Sequence, residues 1–402
     1  MTILVFPSLW VLGEYGRTLG ELSFPWMLIG YAWTPILPIA QAAAVGGVYA
    51  LSFMTVMGNV VAWRLARGVA GDGIPRGDRR AAVAFAAAVA LIAVLGGVRL
   101  ARVKLSGDPA RFCSLQQNLD HLHRNEHSLD SAFAAAEALV YRAAEEEPDC
   151  MVLAESSLQC FLVRQPWLAR RVSSWVDSVD APLVLGSLHW DRGAPGSIYK
   201  YKVYNTAFLA QPGSNLFERY YKIKLVPFSE ELPFEGFLPI LSRVNLGEAD
   251  FKRGTDHTVF PIGERIRGAP LICYEVIYPA FVRRRAADSV NVLINITNDG
   301  WFGRSPGPFH HLQMARLRCV ENGIGMVRCA NTGISTFFDP LGRRLGSTEL
   351  YERTVLCADL TLQRVPTVYS ALGDWVVWFA LVVALAGGGW GVYRTRKTRG
   401  TG

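Results

Sequence analysis

Apolar positions fall into two regimes along the chain. Residues 81–98, AAVAFAAAVALIAVLGGV, run for eighteen positions without a charge, and residues 375–393, WVVWFALVVALAGGGWGVY, for nineteen. Each approaches the ~20 residues a helix needs to cross a hydrocarbon core of ~30 Å, which predicts two membrane spans. No residue from Leu22 to Trp63 is charged either, but Pro25, Pro35 and Pro38 break the first half and leave Gln41–Trp63 as its helix. In SFPWMLIGYAW, residues 23–33, the rings of Trp26, Tyr31 and Trp33 suit headgroup depth and predict an interfacial loop. The opening run Thr2–Gly13 is short for a crossing and lacks the basic start of a cleaved signal. It reads as the tail of a helix whose beginning is missing.

Between 105 and 370 the pattern changes. Short β-rich runs end in polar residues: MVLAES (151–156), PLVLGSLHW (182–190), NTAFLAQP (205–212), PLICYE (270–275), VNVLINITND (290–299) and GMVRCANTG (325–333). Ser131–Glu147 and His310–Asn322 have helical spacing. Asp-Pro-Leu-Gly inside STFFDPLGRRL (335–345) predicts a hairpin turn. Strands alternating with helices imply helices packed on mixed sheets, and roughly 260 residues are enough for a full core.

Composition agrees with membrane attachment, since half of the residues are apolar and only 19% are charged. The connection 64–80 carries Arg64, Arg67, Arg76, Arg79 and Arg80, and the tail carries Arg394, Arg396, Lys397 and Arg399. Both are expected on the cytoplasmic side, which places 105–370 on the outer side. The net charge of +7 sits largely in these flanks, so it points to membrane anchoring and away from nucleic acid. All seven cysteines lie in the outer region. The number is odd, so one thiol at least stays unpaired even where disulfides form.

Candidate chemistry centres on LICYE, residues 271–275. A free cysteine usually packs as a small hydrophobe, and a nucleophilic one needs a base or a cation beside it. Glu155 ends MVLAE and Lys222 lies in YYKIKLVPFSEELP. Glu155, Cys273 and Asn298-Asp299 each sit where an apolar strand gives way to polar residues, the usual ligand end of α/β sheets. The roles this suggests are Cys273 attacking a carbonyl, Glu155 as general base and then acid, and Lys222 holding the oxyanion. Glu230 or Glu275 would keep the lysine charged and oriented. His310 and His311 offer a Cys–His alternative, although their spacing before MARLR fits residues at a helix start. Taken singly, Glu155 reads as a solvated loop carboxylate and Lys222 as a surface lysine. No G-x-S-x-G elbow and no metal-ligand spacing occurs.

Six segments taken in order, AESS, YYKIKLVPFSEELP, ICYE, NITNDGWFG, GPFHHLQMARLRCVENG and RCANTGISTFFDPLG, resemble the nitrilase (carbon-nitrogen hydrolase) superfamily and its Glu-Lys-Cys triad. LVPFSE, NDGWFG and the flanking spans resemble its apolipoprotein N-acyltransferase branch, here without that branch's first transmembrane helices. The resemblance implies a nitrilase-like α-β-β-α sandwich attached to a transmembrane helical bundle. Its divisions would be a membrane region over 1–104, an extracytoplasmic catalytic domain over 105–370, and a last span with a basic tail over 371–402. It implies Glu155, Lys222 and Cys273 as catalytic residues, with Glu230, Tyr274 and Glu275 in support; Lys222 is preferred over Lys224. It also implies a phospholipid acyl donor, a diacylated apolipoprotein acceptor, no cofactor, and a multi-pass place in the bacterial plasma membrane with the domain on the periplasmic side. LPFEGFLPIL (232–241), with SFPWMLIGYAW, would supply apolar lid or acyl-chain surface. The alternatives are an inactive or accessory protein tethered to the membrane, and a membrane-bound amidase.

Overall fold

The β-rich runs build two sheets. A computed structural model describes residues 2–71, 73–119, 129–193, 200–234, 251–287 and 289–399. In chain order its strands are β1 (Pro109–Gln116), β2 (Cys150–Leu153), β3 (Leu158–Phe161), β4 (Leu183–Arg192), β5 (Tyr201–Ala210), β6 (Glu218–Tyr221), β7 (Phe260–Ile262), β8 (Ile266–Ile272), β9 (Val292–Thr297), β10 (Gly325–Ala330), β11 (Thr336–Phe338), β12 (Arg344–Ser347) and β13 (Thr354–Thr361). The first sheet has the order β13-β1-β2-β4-β5-β6, with β3 also on β4, and the second β12-β11-β10-β9-β8-β7. Their centres are parallel, β1-β2-β4 in one and β8-β9-β10 in the other, and their edges antiparallel.

Alternation along each strand assigns the faces. On β4, Val184 belongs to an apolar layer shared with Ile272, Ile294 and Val327 of the second sheet. Its neighbours Leu183 and Leu185 pack with Phe133 and Trp175 of the helices Leu129–Ala144 and Pro166–Val179. One core therefore lies between the sheets and another under those helices, the layering expected of an α/β sandwich.

The chain divides into two compact units, one of residues 105–319 and 324–365 and one of residues 1–104, 320–323 and 366–402. In the second, the helix Thr2–Gly16 packs on Ala43–Ala70 and Trp375–Arg399. The expected helix 41–63 runs instead over Ala43–Ala70, broken at Gly47, whose φ is +65°. That break frees the Val48 N–H, which donates to Glu321 Oε1 at 2.8 Å. A Cβ at Gly47 would also meet the Tyr369 ring at 2.5 Å.

The arginine-rich connection 64–80 is largely helical. Arg64 and Arg67 lie inside Ala43–Ala70, and Arg76, Arg79 and Arg80 inside Arg76–Arg102. Arginine is a good helix former, so the charge pattern marks where apolar surface ends and not where the helix ends. Two helices, Ala43–Ala70 and Arg76–Arg102, are long and apolar enough to cross a membrane among the described residues; the apolar part of the last helix, Trp375–Trp390, is shorter. Arg76–Arg102 leaves Val83, Leu91, Val94 and Leu95 exposed, which separates it from the core helix of a soluble protein. Within 23–33, expected as an interfacial loop, the chain forms two short 3-10 turns, Pro25–Met27 and Ile29–Trp33. Residues 235–241 of the expected lid surface lie outside the described residues.

Candidate active site

The three residues expected to be catalytic follow the ends of strands. Glu155 lies two residues beyond β2, Lys222 directly follows β6, Cys273 directly follows β8, and Asn298-Asp299 follow β9. Parallel order in both sheet centres turns the carboxyl ends of β2, β8 and β9 to one side, and that convergence is the reason distant segments meet.

Lys222 is buried, and its Nζ donates to Glu230 Oε1 at 2.8 Å and to Glu155 Oε1 at 3.2 Å. Asn205 Nδ2 donates to the same two oxygens, at 2.7 Å to Glu155 and 3.3 Å to Glu230. The second oxygen of Glu155 accepts from the backbone N–H of Asn298 at 3.0 Å, and that of Glu230 from Val226 N at 2.9 Å. Burial opposes the lysine's charge, but Glu155 and Glu230 outweigh it and hold its pKa well above the ordinary value. A buried ammonium paired with two carboxylates stays protonated.

Cys273 keeps partial exposure, whereas the other free cysteines, 150, 160, 319 and 329, are buried. Its backbone holds φ at +49°, a left-handed value that costs a non-glycine residue about 1 kcal/mol or more. The strain turns the chain out of β8 into the 3-10 turn Cys273–Ile277. Burial of the sulfur, then the Glu155 carboxylate, push the thiol's pKa up against the pull of Lys222. Two carboxylates against one ammonium leave the immediate surroundings net negative, so the thiol rests protonated. A thiol in that state can attack only after a base takes its proton.

Glu275 is not beside the lysine. Its carboxylate is fully buried and accepts from Tyr220 Oη (2.7 Å), Ile223 N (2.7 Å), Lys224 N (3.1 Å) and Ile272 N (2.7 Å). It thereby ties the backbone after Lys222 to the residue before Cys273. Of the two expected carboxylate positions, Glu230 alone reaches Nζ. Tyr274 is buried and packs edge-on against Tyr278, while Lys224 Nζ lies over the Tyr278 ring at 5.2 Å.

His311 occupies a place its helical spacing did not indicate. It is fully buried in the helix Gly307–Asn322, with Nε2 3.2 Å from the Cys273 carbonyl oxygen and Nδ1 2.9 Å from Asp299 Oδ1. Burial, with Arg328 alongside, lowers its pKa. Both ring nitrogens face acceptors, the Cys273 carbonyl and the Asp299 carboxylate, so the ring bridges these two, holds the strained residue in place and is not aimed at its sulfur. His310, its neighbour, is exposed.

Arg328, an arginine in the buried strand β10, donates from Nη2 to Asp299 Oδ2 at 2.7 Å and from Nη1 to Asn295 Oδ1. Burial works against the Asp299 charge, but Arg328 and His311 overcome it and depress its pKa to about 2. Thr297 Oγ1 donates to Asp299 Oδ1 at 3.2 Å and is in hydrogen-bond contact with the Cys273 thiol. Sequence reasoning missed Asn205, Thr297 and Arg328. The signal for Arg328 was a charge inside the otherwise apolar GMVRCA, which demands a buried partner. Among the described residues no cluster suited to a metal ion occurs.

The carbon-nitrogen hydrolase family model matches residues 113–369, and that of the apolipoprotein N-acyltransferase N-terminal domain matches residues 1–61. An apolipoprotein N-acyltransferase of Geobacter metallireducens is 33% identical over 391 residues, covering 96% of this chain and 74% of that protein. One of Bradyrhizobium diazoefficiens is 32% identical over 404 residues, covering 96% and 72%. A solved Saccharomyces cerevisiae member of branch 10 of the nitrilase superfamily superposes with a TM-score of 0.48 at 16% identity, over 64% of this chain and 92% of that one. The matches to both family models, together with relatives similar over nearly the whole chain, place this protein in the apolipoprotein N-acyltransferase family, enzymes of the carbon-nitrogen hydrolase superfamily.

Proposed function

We propose that this enzyme moves a fatty acyl chain from a phospholipid, through a thioester on Cys273, to the N-terminal amine of an S-diacylglyceryl-cysteine lipoprotein. The observation that supports it is the buried Glu155–Lys222–Glu230 cluster beside a strained, partly exposed cysteine. Glu155 takes the Cys273 proton as the sulfur attacks the ester carbonyl carbon and the S–C bond forms. Lys222 stabilises the oxyanion. When the C–O bond breaks, Glu155 returns the proton to the leaving oxygen, giving a lysophospholipid. In the second half the acceptor amine attacks the thioester, Glu155 accepts the nitrogen's proton, and the C–S bond breaks. That proton restores the Cys273 thiol and the product is an amide.

Lipid-anchored substrates explain the apolar helices. Arg76–Arg102 exposes aliphatic side chains that favour a hydrocarbon surrounding, and Phe228, Phe234 and Trp301 expose aromatic surface on loops that follow the site strands. We place the catalytic unit at the outer surface of the plasma membrane, with the helices spanning the bilayer. Keeping water from the thioester favours transfer to an amine over hydrolysis.

The test is intact mass of the purified chain after incubation with phospholipid, followed by addition of a diacylated lipopeptide. The expected result is a gain of one acyl group, absent in Cys273→Ser, that passes to the lipopeptide as an amide. An unlabelled Cys273 together with no triacylated product overturns the proposal. Release of free fatty acid from the labelled enzyme, with the lipopeptide untouched, favours the amidase reading instead.

A further inference from the structure

The helix-covered face of the first sheet holds a second cleft, on the other side of the sheet from Lys222. It has a volume of about 770 Å³ and is lined by the start of the helix Pro166–Val179, the end of β4 and residues 215–219. Strand alternation separates it from the triad: Tyr220 points into the layer between the sheets, so Tyr221 faces the other way, toward His189 of β4. Three guanidinium groups, Arg164, Arg170 and Arg219, line it against one carboxylate, Asp191. Arg164 is committed, since it donates to Asp191 Oδ1 (3.0 Å) and to the Trp190 carbonyl (2.8 Å). Arg219 lies over the Tyr221 ring, and both Arg219 and Arg170 are exposed. The surplus of positive charge in the cleft is therefore theirs.

His189 makes this more than a basic patch. It is 1% exposed and lines the cleft. The Tyr221 hydroxyl lies 3.0 Å from Asp191 Oδ2 and 2.7 Å from His189 Nδ1. A carboxylate can only accept, so the tyrosine's one proton goes to Asp191 and its oxygen accepts from Nδ1–H. That fixes the tautomer: Nε2 carries a lone pair. Burial, then Arg219, lower the ring's pKa to about 4, which keeps it neutral. Among the described residues Nε2 has no hydrogen-bond partner. The cleft thus combines two available cations with one buried acceptor.

We propose that this cleft is a second binding site, for a phosphate group that brings its own hydrogen-bond donor: hydrogen phosphate, or a phosphate ester with a hydroxyl or ammonium beside the phosphate. Arg170 and Arg219 would take the anionic oxygens and His189 Nε2 would accept from the donor. A soluble phosphate and a lipid headgroup share this chemistry.

The test is isothermal titration of the full chain in detergent with inorganic phosphate, sulfate and glycerol 3-phosphate at neutral pH. Sulfate has similar size and charge but no proton to donate, so phosphate is expected to bind at least about tenfold more tightly, the discrimination of a site that pairs a buried polar atom. Arg170→Gln with Arg219→Gln should weaken phosphate about tenfold or more while acyl transfer is unchanged. Tyr221→Phe, which releases the tautomer at little cost in packing, should shrink the preference over sulfate. Displacement of glycerol 3-phosphate by phosphatidylglycerol micelles would identify a headgroup as the source, and no displacement a soluble ligand; either result supports the site. Absence of phosphate binding at millimolar concentration, equal binding of sulfate, or full phosphate affinity in the double arginine variant would each overturn it.

Discussion

Replacing Glu155 by Gln separates two properties that a thiolate enzyme would lose or keep together. In the native site Glu155 and Glu230 face Lys222, and a thiolate at Cys273 would add a second unit of net negative charge. Removing one carboxylate takes away a like charge, whose effect at ~4–6 Å is about 1–3 pKa units. A shift of about two units raises the thiolate fraction about a hundredfold. The less basic thiolate is also less nucleophilic, with a Brønsted coefficient of about 0.4–0.5, so roughly a tenfold net gain in reactivity survives. Acyl transfer should fall about 10²- to 10⁴-fold for loss of a general base. The assay is the rate of Cys273 carboxamidomethylation by iodoacetamide near pH 8, read by peptide mass, beside single-turnover acylation with phospholipid. Gln keeps one acceptor oxygen where Glu155 has two, so either Asn298 N (3.0 Å to Oε2) or Asn205 and Lys222 (on Oε1) lose their partner, which costs about 1–3 kcal/mol, so a thermal melt must accompany both. Slower or unchanged alkylation in a folded Glu155→Gln protein would refute the reading of a protonated resting thiol held up by carboxylates.

A Cβ at Gly186 would lie 2.6 Å from Ala154 O and Ser156 N and 2.7 Å from Glu155 Cα, all backbone. Gly186→Ala must therefore push Glu155 away, and single-turnover acylation is expected to fall about a hundredfold, the cost of a ~1 Å misplacement; unchanged rates would remove Glu155 from the reaction. Asp299→Asn leaves the fully buried Arg328 without its carboxylate and should destabilise by about 3–5 kcal/mol in denaturant titration. Because Asp299 titrates at about 2 when folded and near 3.8 otherwise, its contribution of roughly 2 kcal/mol is fully present above pH ~5 and is lost as the pH falls through 4 toward 2. The wild-type melt should show that fall in acid and the Asn variant should lack it. Cys113 pairs with Cys357 across β1 and β13 over a separation of 244 residues, so Cys357→Ala should destabilise by up to about 5 kcal/mol and leave the catalytic unit active while folded.

Local pattern alone marked the long uncharged apolar runs, the alternation that makes an α/β domain, and the strand ends where Glu155, Cys273 and Asp299 emerge. These are local: whether successive side chains are apolar is written in neighbouring residues. The resemblance carried over the triad, but the partners of each member depended on contacts between residues far apart in the chain. The residues by themselves left Glu230 and Glu275 open as the lysine's carboxylate; the resemblance pointed to Glu230, and the folded backbone brings that one to Nζ. Both lie a few residues from a triad member, and the geometry sends Glu275 instead to Tyr220 and three backbone N–H groups. The same holds for His311, whose spacing suits a helix face but whose ring reaches a carbonyl 38 residues earlier. Pairing of Cys113 with Cys357, the φ of Cys273 and the tautomer of His189 likewise follow from sheet register and burial, which arise from long-range packing and leave no mark in a local pattern.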